Sequence, residues 1–581
     1  MGLRDNNMKS LNHKVDLCIV GGGMAGMCAA IAAARHGTKV ALMQDRPVFG
    51  GNASSEIRMW ICGAHGLSNR ETGILEEIQM ENLYRNPTPN YSLWDSILYE
   101  KVRFEKNIEF LLNCSCIDAK MSGNKIESIK GWQLTTETWH TVEAKYFADC
   151  SGDSILSPLS GAEYRQGREA SNDFNESIEP EKSDKKTMGM SCLFQVRETD
   201  RVQPFIPPIW AYKYTRDEDF PAREHDLKTN YWWIELGGEN DTIHDAEELR
   251  DELLKIVFGV WDHMKNYGNH GVSNWVIDWL GFLPGKRESR RNVGDYILNQ
   301  NDIASEGKFE DLVAYGGWSM DDHNPEGFKY TGGYPTIFHE APSPFGIPYR
   351  CLYSVNIENL FFAGRNISGT HAAMSATRVM ATCSIIGQAV GTAASIAVNK
   401  DLTPRGVYEK EIINLQQMLM EDDCYLPWHK RGIWELTCKA NMIDKTYSAE
   451  VLKNGYDRPI GNEDNGWWGD PGEWIQCSFE NIEQINELRF VFDSNLNREI
   501  HNMPCNYPLE QNDFHVPETM IKEFKIEVLN ELGNWIPVTE VKNNYQRLVK
   551  LQLDVKTKAI RFIPVSTWGS EKAHVFSWDL R

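Results

Sequence analysis

Val15-Asp-Leu-Cys-Ile-Val20, followed at once by Gly21-Gly-Gly-Met-Ala-Gly26, constrains the fold more than any other stretch. Six residues rich in apolar and β-branched types read as a buried parallel strand. Met24 to Arg35 is Ala-rich and reads as a helix opening at the glycine turn. Gly21, Gly23 and Gly26, with Ala25 among them, stand in G-x-G-x-x-G register. The first glycine allows the turn, the second lets backbone approach a pyrophosphate, and the third lets helix and strand pack closely. The helix N-terminus adds unpaired N–H groups and a positive dipole end. Both NAD and FAD use this fingerprint.

Composition narrows the partners. The chain has 581 residues, enough for three or four domains, and a formal net charge of −22. That charge argues against nucleic acid or an anionic membrane surface as partner. The 13 cysteines are scattered, with no Cys-x-x-Cys, so they read as reduced core residues and no metal site is expected. Met1 to Lys14 is polar without an apolar core, and no stretch reads as long enough to span a bilayer. The expected location is the cytoplasm, with a homo-oligomer open.

Thr38 to Gln44 reads as the second strand. An acid that binds a ribose is expected at its end, and Gln44 and Asp45 hold that place. Gly50, Gly51, Asn52 and Ser54 follow in a small-residue loop suited to a large cofactor. Arg58, Cys62 and His65 lie just beyond. Helical spacing covers Glu71–Asn86 and Trp94–Phe104, and Ile108–Leu112 reads as a strand. Three antiparallel strands are expected near Cys116–Met121, Ile126–Leu134 and Trp139–Val142. Lys145–Cys150 then returns as a parallel strand ending in Ser151-Gly-Asp153. A meander between two parallel strands is unlike a plain NAD domain.

Three separated pieces, Gly21–Gly26, Asp149-Cys-Ser-Gly-Asp153 and Asn359-Leu-Phe-Phe-Ala-Gly-Arg-Asn366, resemble FAD-dependent oxidoreductases with a glutathione-reductase-type Rossmann domain. The resemblance spans most of Val15–Lys400 and implies FAD as cofactor. It implies cofactor contacts at Ser151, Gly152, Asp153, Gly364, Arg365 and Ala373, although Arg365 stands where the family carries an acid. Glu288-Ser-Arg-Arg291 with Arg287, the Asp322-His-Asn-Pro325 loop, Ile347–Arg350 and Ala363–His371 resemble a large bacterial subgroup, some members of which carry a xanthan lyase label. β-Elimination needs no flavin, so only a carbohydrate setting follows. The resemblance implies that the helix after His371 directs its N-terminus at the flavin, where its dipole favours negative charge on the reduced ring.

The expected fold class is α/β: a glutathione-reductase-type FAD domain at 14–160 and 346–400, an inserted α+β substrate domain at 161–345, a helical connector at 401–455, and a β-sandwich at 456–581. Ala372–Val398 reads as one long helix, with small residues at Gly387 and Gly391 for tight packing on the sheet. The last domain carries short alternating strands and looks like a discoidin-type, galactose-binding-like jelly roll. It serves as a glycan-binding or as a structural appendage.

Hydride transfer from an alcohol needs a group to take the hydroxyl proton. His323 and His371 are the candidates, with Asp321 or Asp322 to orient the first. One is expected to be the base and the other to position substrate. Arg58, His65, Arg287, Arg290, Arg291 and Asp322 are candidate substrate contacts. A disulfide reductase would need a cysteine pair near the flavin, and only Cys62 lies there. No second dinucleotide fingerprint and no Gly-x-Ser-x-Gly elbow follow. The expected activity is an FAD-dependent oxidoreductase acting on a small polar substrate, a sugar or sugar derivative, with an unidentified electron acceptor. A glycan-binding protein with a non-catalytic flavin and a flavin-dependent hydroxylase are the alternatives.

Overall fold

The computed structural model describes residues 8–446, 448–499 and 501–581. Residues 1–7 of the polar N-terminal stretch lie outside it. The chain divides into two compact units. The first comprises 1–64, 88–415 and 501–512; the second comprises 65–87, 416–500 and 513–581.

The first unit is built on a mixed sheet of β1 (Lys9–Val20), β2 (Val40–Met43), β3 (Ile108–Leu111), β4 (Cys114–Ser122), β5 (Lys125–Gln133) and β6 (Thr138–Asp149). The spatial order is β3-β2-β1-β6-β5-β4, and strand Leu360–Phe362 also pairs with β6. β1 runs parallel to β6 from Lys9↔Thr138 to Val20↔Asp149. Trp139–Val142 and Lys145–Cys150, expected as two strands, are therefore one. Its first half also pairs antiparallel with β5 and its last residues pair parallel with Leu360–Phe362. The same ladder extends β1 back to Lys9, through residues that read as a polar tail.

α1 (Met24–Arg35) begins where expected, and all but its last residue are buried. Helix Met380–Lys400 packs on it. A Cβ at Gly387 or Gly391 would lie 2.1 Å from the carbonyl oxygens of Ala25 and Ala29, so the small residues admit α1 rather than the sheet. By length and mean hydropathy (1.5) this helix meets the requirement for a membrane span that no stretch was expected to meet. It is a core helix, 94% buried. The expected single helix Ala372–Val398 is two, His371–Thr377 and Met380–Lys400, broken at Arg378-Val379 where Val379 is extended.

The inserted region holds a second core. Helix Ala246–Asn266 lays Leu253, Val257, Val260 and Trp261 against Phe194, Tyr231 and Trp233. The second unit is dominated by antiparallel strands, including Ile475–Phe492, Ile521–Leu529, Trp535–Val541, Leu548–Thr567 and Ala573–Leu580. Phe490, Phe492, Phe524, Phe562 and Trp578 form its aromatic core. Segment 65–87, which fell within 14–160 in the sequence reading, groups with this unit and contributes Met80 to that core.

Candidate functional site

A cavity of about 760 Å³ in the first unit begins at the end of β1. Gly21 has φ +103°, and a Cβ there would lie 2.3 Å from the Cys150 carbonyl oxygen, so only glycine makes this turn. Gly26 keeps α1 close to the turn, since its Cβ would fall 1.8 Å from the Gly21 oxygen. Gly23 differs: a Cβ would meet only the Gly51 Cα, at 3.8 Å, and would otherwise project into open space. It is the N-cap of α1, with no side-chain cap and no acid in the first turn. Gly50 pairs with Gly23 by a β-bridge, and its N–H donates to the Gly22 carbonyl at 2.9 Å. An uncapped helix end beneath two glycine turns is a donor set suited to a pyrophosphate.

Gln44 takes no part in that donor set. Its Oε1 accepts from the Gly22 N–H at 2.7 Å and its Nε2 donates to the Val48 carbonyl at 3.2 Å. Both ends of the carboxamide are spent on the loops. Asp45 is exposed at the cavity wall. Beside it, Arg46 Nη1 and Glu56 Oε2 are buried, lack hydrogen bonds, and sit 3.7 Å apart.

The other two glycine turns meet midway along the cavity. Asp149, fully buried, accepts from Ser151 Oγ (2.7 Å), Leu156 N–H (2.7 Å) and Asn366 Nδ2 (3.2 Å), joining the second and third sequence pieces. Asp153 accepts from Lys286 Nζ (2.7 Å), Ser289 Oγ (2.7 Å) and Arg365 Nη2 (2.8 Å). Burial would raise its carboxyl; Arg365 and Lys286 overcome this and hold it at about 2. Arg365, in the place of the expected acid, therefore carries its own counter-ion.

At the far end the wall turns aromatic, with Trp232, Trp318, Tyr334 and Phe338. His323 sits among them, its ring 5.3 Å from that of Trp232. Nδ1 lies 2.6 Å from Glu235 Oε2, and Nε2 lies 3.3 Å from Asp321 Oδ2. Arg287 backs Glu235 at 3.4 Å, while Arg378 and the Thr336 hydroxyl hold Asp321 at 3.0 and 2.6 Å. Burial would raise the Asp321 carboxyl, but His323, Arg378 and Thr336 hold it far below its usual range.

Among the other expected residues, Gly51, Asn52, Ser151, Gly152, Gly364, Arg287 and Arg290 line the cavity. His371 does not. It is buried between Glu288 (2.8 Å) and Asp322 (3.2 Å), and its N–H donates to Glu169 at 2.9 Å. Burial would lower its pKa; Glu288 and Asp322 overcome this and hold it well above the usual value, as an imidazolium. Arg291 is buried in the same cluster, paired with Glu169 and Glu288. Thr370 Oγ1 accepts from the Ala373 N–H at 3.2 Å, so the end of this helix expected to face a flavin already has partners. Ala373 and Ser54 are buried behind the wall. Arg58 is clamped between the Tyr91 and Trp279 rings, 4.6 Å from each, with Nη1 on Gln195. His65 is exposed and belongs to the second unit.

Sequence reasoning missed Glu235, Trp232, Tyr334 and Lys286. Glu235 carried a signal: an acid inside the apolar run Tyr231–Leu236 needs a buried partner.

Solved structures to which the chain is similar include a geranylgeranyl bacteriochlorophyll reductase-like protein from Thermoplasma acidophilum, 13% identical over 71% of this chain and 85% of that one, with a TM-score of 0.31. They also include the family 32 carbohydrate-binding module of Streptococcus pneumoniae EndoD, 14% identical over 24% and 94%, with a TM-score of 0.20. The family 32 module of Clostridium perfringens NanJ, in complex with galactose, is 8% identical over 25% and 94%, with a TM-score of 0.18. At such TM-scores these likenesses do not bear on the chemistry. No curated protein matches the chain. The family model described as FAD dependent oxidoreductase matches residues 16–419, more than half of the chain. With a glycine-rimmed cavity whose donors suit a dinucleotide, the protein belongs to the FAD dependent oxidoreductase family and is an FAD-dependent oxidoreductase.

Proposed function

We propose that the protein moves a hydride between a small polar substrate, a sugar or sugar derivative, and FAD held in the glutathione-reductase manner. The observation that carries this reading is His323 on the cavity wall, with one ring nitrogen on Glu235 and the other facing Asp321. Gly21, Gly23 and the first turn of α1 would take the pyrophosphate, and Asp45 the adenosine ribose. Gly50–Asn52, Ser151–Asp153 and Gly364–Arg365 would line the rest of the cofactor. When bound, FAD supplies a two-electron acceptor or donor.

The chain's own task is the proton. A carboxylate cannot donate, so the Nδ1 that faces Glu235 carries hydrogen, and Nε2, on the Asp321 side, is the nitrogen that exchanges a proton with a substrate hydroxyl. Glu235 steadies the imidazolium formed when Nε2 gains that proton. Asp321, kept ionised by Arg378 and Thr336, takes up the Nε2 hydrogen bond afterwards. Trp232, Tyr334 and Phe338 offer flat apolar faces to the C–H side of a sugar ring, and Arg287 and Lys286 stand beside them for polar groups. The domain roles proposed at 14–160 with 346–400 and at 161–345 follow this division between cofactor and substrate walls, and a cytoplasmic setting is retained.

The test is anaerobic bleaching of the bound flavin by a panel of sugars, sugar acids and alcohols. Reduction by a polyhydroxy compound supports the reading. Reduction by NAD(P)H alone, followed by oxygen consumption once air is admitted, would favour a hydroxylase.

A second role is proposed for the C-terminal unit. A cavity of about 270 Å³ there is bordered by Trp468, Asp464, Asp493 and Asn495. Trp468, 41% exposed, stacks on His574 at 3.8 Å and donates from Nε1 to Asp464 at 2.5 Å. A fixed, open indole ringed by acceptors suits a sugar face, and binding of free monosaccharides with quenching of Trp468 fluorescence would test it.

A further inference from the structure

Away from the cavity, three imidazoles converge on one carboxylate. Asp217 Oδ1 lies 3.0 Å from His263 Nε2, 3.6 Å from His270 Nε2 and 3.7 Å from His225 Nε2. One possible ligand atom from each of the four residues can be chosen so that all four lie within 4.8 Å of one another. The three rings stand 4.8–5.2 Å apart between centroids. In a tetrahedral site with bonds of about 2.0–2.1 Å, ligand atoms lie about 3.3 Å apart. The cluster reaches that by a contraction of about 1.5 Å or less between any two ligand atoms.

One ligand is already oriented. His225 Nδ1 lies 3.0 Å from the Arg223 carbonyl, which can only accept, so that nitrogen carries the hydrogen and Nε2 keeps its lone pair. His270 Nε2 also lies 3.2 Å from the Tyr267 carbonyl, a contact it would exchange for a metal bond.

The supports on both sides are firm. Arg223 is buried and donates to the Pro221, Gly327 and Tyr330 carbonyls, fixing the segment that carries His225. Lys265 donates to the Val272, Ser273 and Trp275 carbonyls, fixing the loop that carries His270. His263, 1% exposed, is held on helix Ala246–Asn266. Between Asp217 and Tyr231 the only regular element is the single turn Asp217–Asp219. A metal here would clip that strap to the helix, and the strap leads straight into Trp232, which lines the cavity, and Glu235, which holds His323.

We propose that Asp217, His225, His263 and His270 form a closed zinc site that fastens the strap 217–231. Three imidazoles and one carboxylate, with four protein ligands and no thiolate, match tetrahedral Zn²⁺ rather than an octahedral or square-planar metal. The expectation from cysteine spacing that the chain holds no metal missed it, because three of the four ligands are histidines and the four are spread over more than fifty residues.

The test uses the full-length flavoprotein, incubated with zinc sulfate, dialysed against metal-free buffer and analysed by elemental mass spectrometry. About one zinc per chain is expected to remain in the wild type and in His244→Ala, an exposed histidine outside the cluster. His225→Ala and His270→Ala are expected to bind zinc at least 100-fold more weakly, as read by a competing chelator, with flavin content unchanged to report folding. Stripping zinc from the wild type should speed proteolysis within 217–231. A wild type that retains no zinc, retention that the two variants do not alter, or preferential retention of copper, nickel or iron would overturn the proposal.

Discussion

Arg378 donates from one nitrogen, Nη2, to both the side chain and the backbone carbonyl of Asp321, at 3.0 and 3.2 Å. That pair lies at the break between helices 371–377 and 380–400, where the chain gives up helical hydrogen bonds and turns a cation toward the carboxylate that faces His323. The interruption of an otherwise uniform helix thus serves the cavity.

Replacing Arg378 with Met should let the Asp321 carboxyl rise, since one of the groups opposing its burial is gone. The acid limb of the flavin-reduction rate should then move to higher pH, and Arg378→Lys should restore part of the shift. The pH–rate profile of single-turnover reduction reads this directly. An unmoved acid limb would show that Asp321 does not govern His323.

Two glycines of one fingerprint should fail in different ways. Gly23→Val projects into open space beside Gly51, so the variant should fold and melt like the wild type yet purify without FAD. Gly26→Ala drives a methyl onto the Gly21 oxygen and should cost about 3 kcal/mol or more of stability. Thermal melting and released FAD, measured on both, distinguish the outcomes.

Glu179 is buried and neither carboxylate oxygen has a hydrogen-bond partner. Burial pushes its pKa from 4.5 to about 7, against an opposing pull from His371. A raised folded-state value means that the favourable protonated form is fully present below the unfolded pKa and is lost as pH rises through 7. Glu179→Gln should therefore match the wild type near pH 4 and exceed it above pH 7, by about 2–3 kcal/mol. Denaturant midpoints across that range check it.

Every cofactor motif in the sequence precedes Lys400, which makes deletion of Tyr456–Arg581 a test of the division into units. In the second unit, however, Met80, Met442, Ala449 and Leu452 share a core with Phe490, Phe562 and Trp578. The truncated chain should expose that half-core and aggregate. Soluble, FAD-loaded protein after truncation would contradict this division of the chain.

The glycine turns were legible because only glycine meets the backbone demands at Gly21 and Gly26, and such demands leave a spacing. The helix at 24–35 and the meander were legible from period and turn residues. What escaped was long-range. Nothing local says that Gln44 is spent on Gly22 and Val48, or that Lys9–Lys14 continues a strand whose partner lies more than a hundred residues on. His371 looked better placed than His323 because sequence order put it beside a cofactor turn. Its burial between two carboxylates depends on Glu288 and Asp322, which reach it from the inserted region. Glu235, Trp232 and the histidines around Asp217 come together only through tertiary packing.

The most direct test of the account is anaerobic stopped-flow reduction of the flavin by the best substrate of the panel, in wild type and His323→Ala. The account predicts reduction slowed by about 10²–10⁴-fold at saturating substrate, with FAD content unchanged. His371→Ala should instead lower stability. Wild-type reduction rates in His323→Ala would contradict the assignment of the proton to His323.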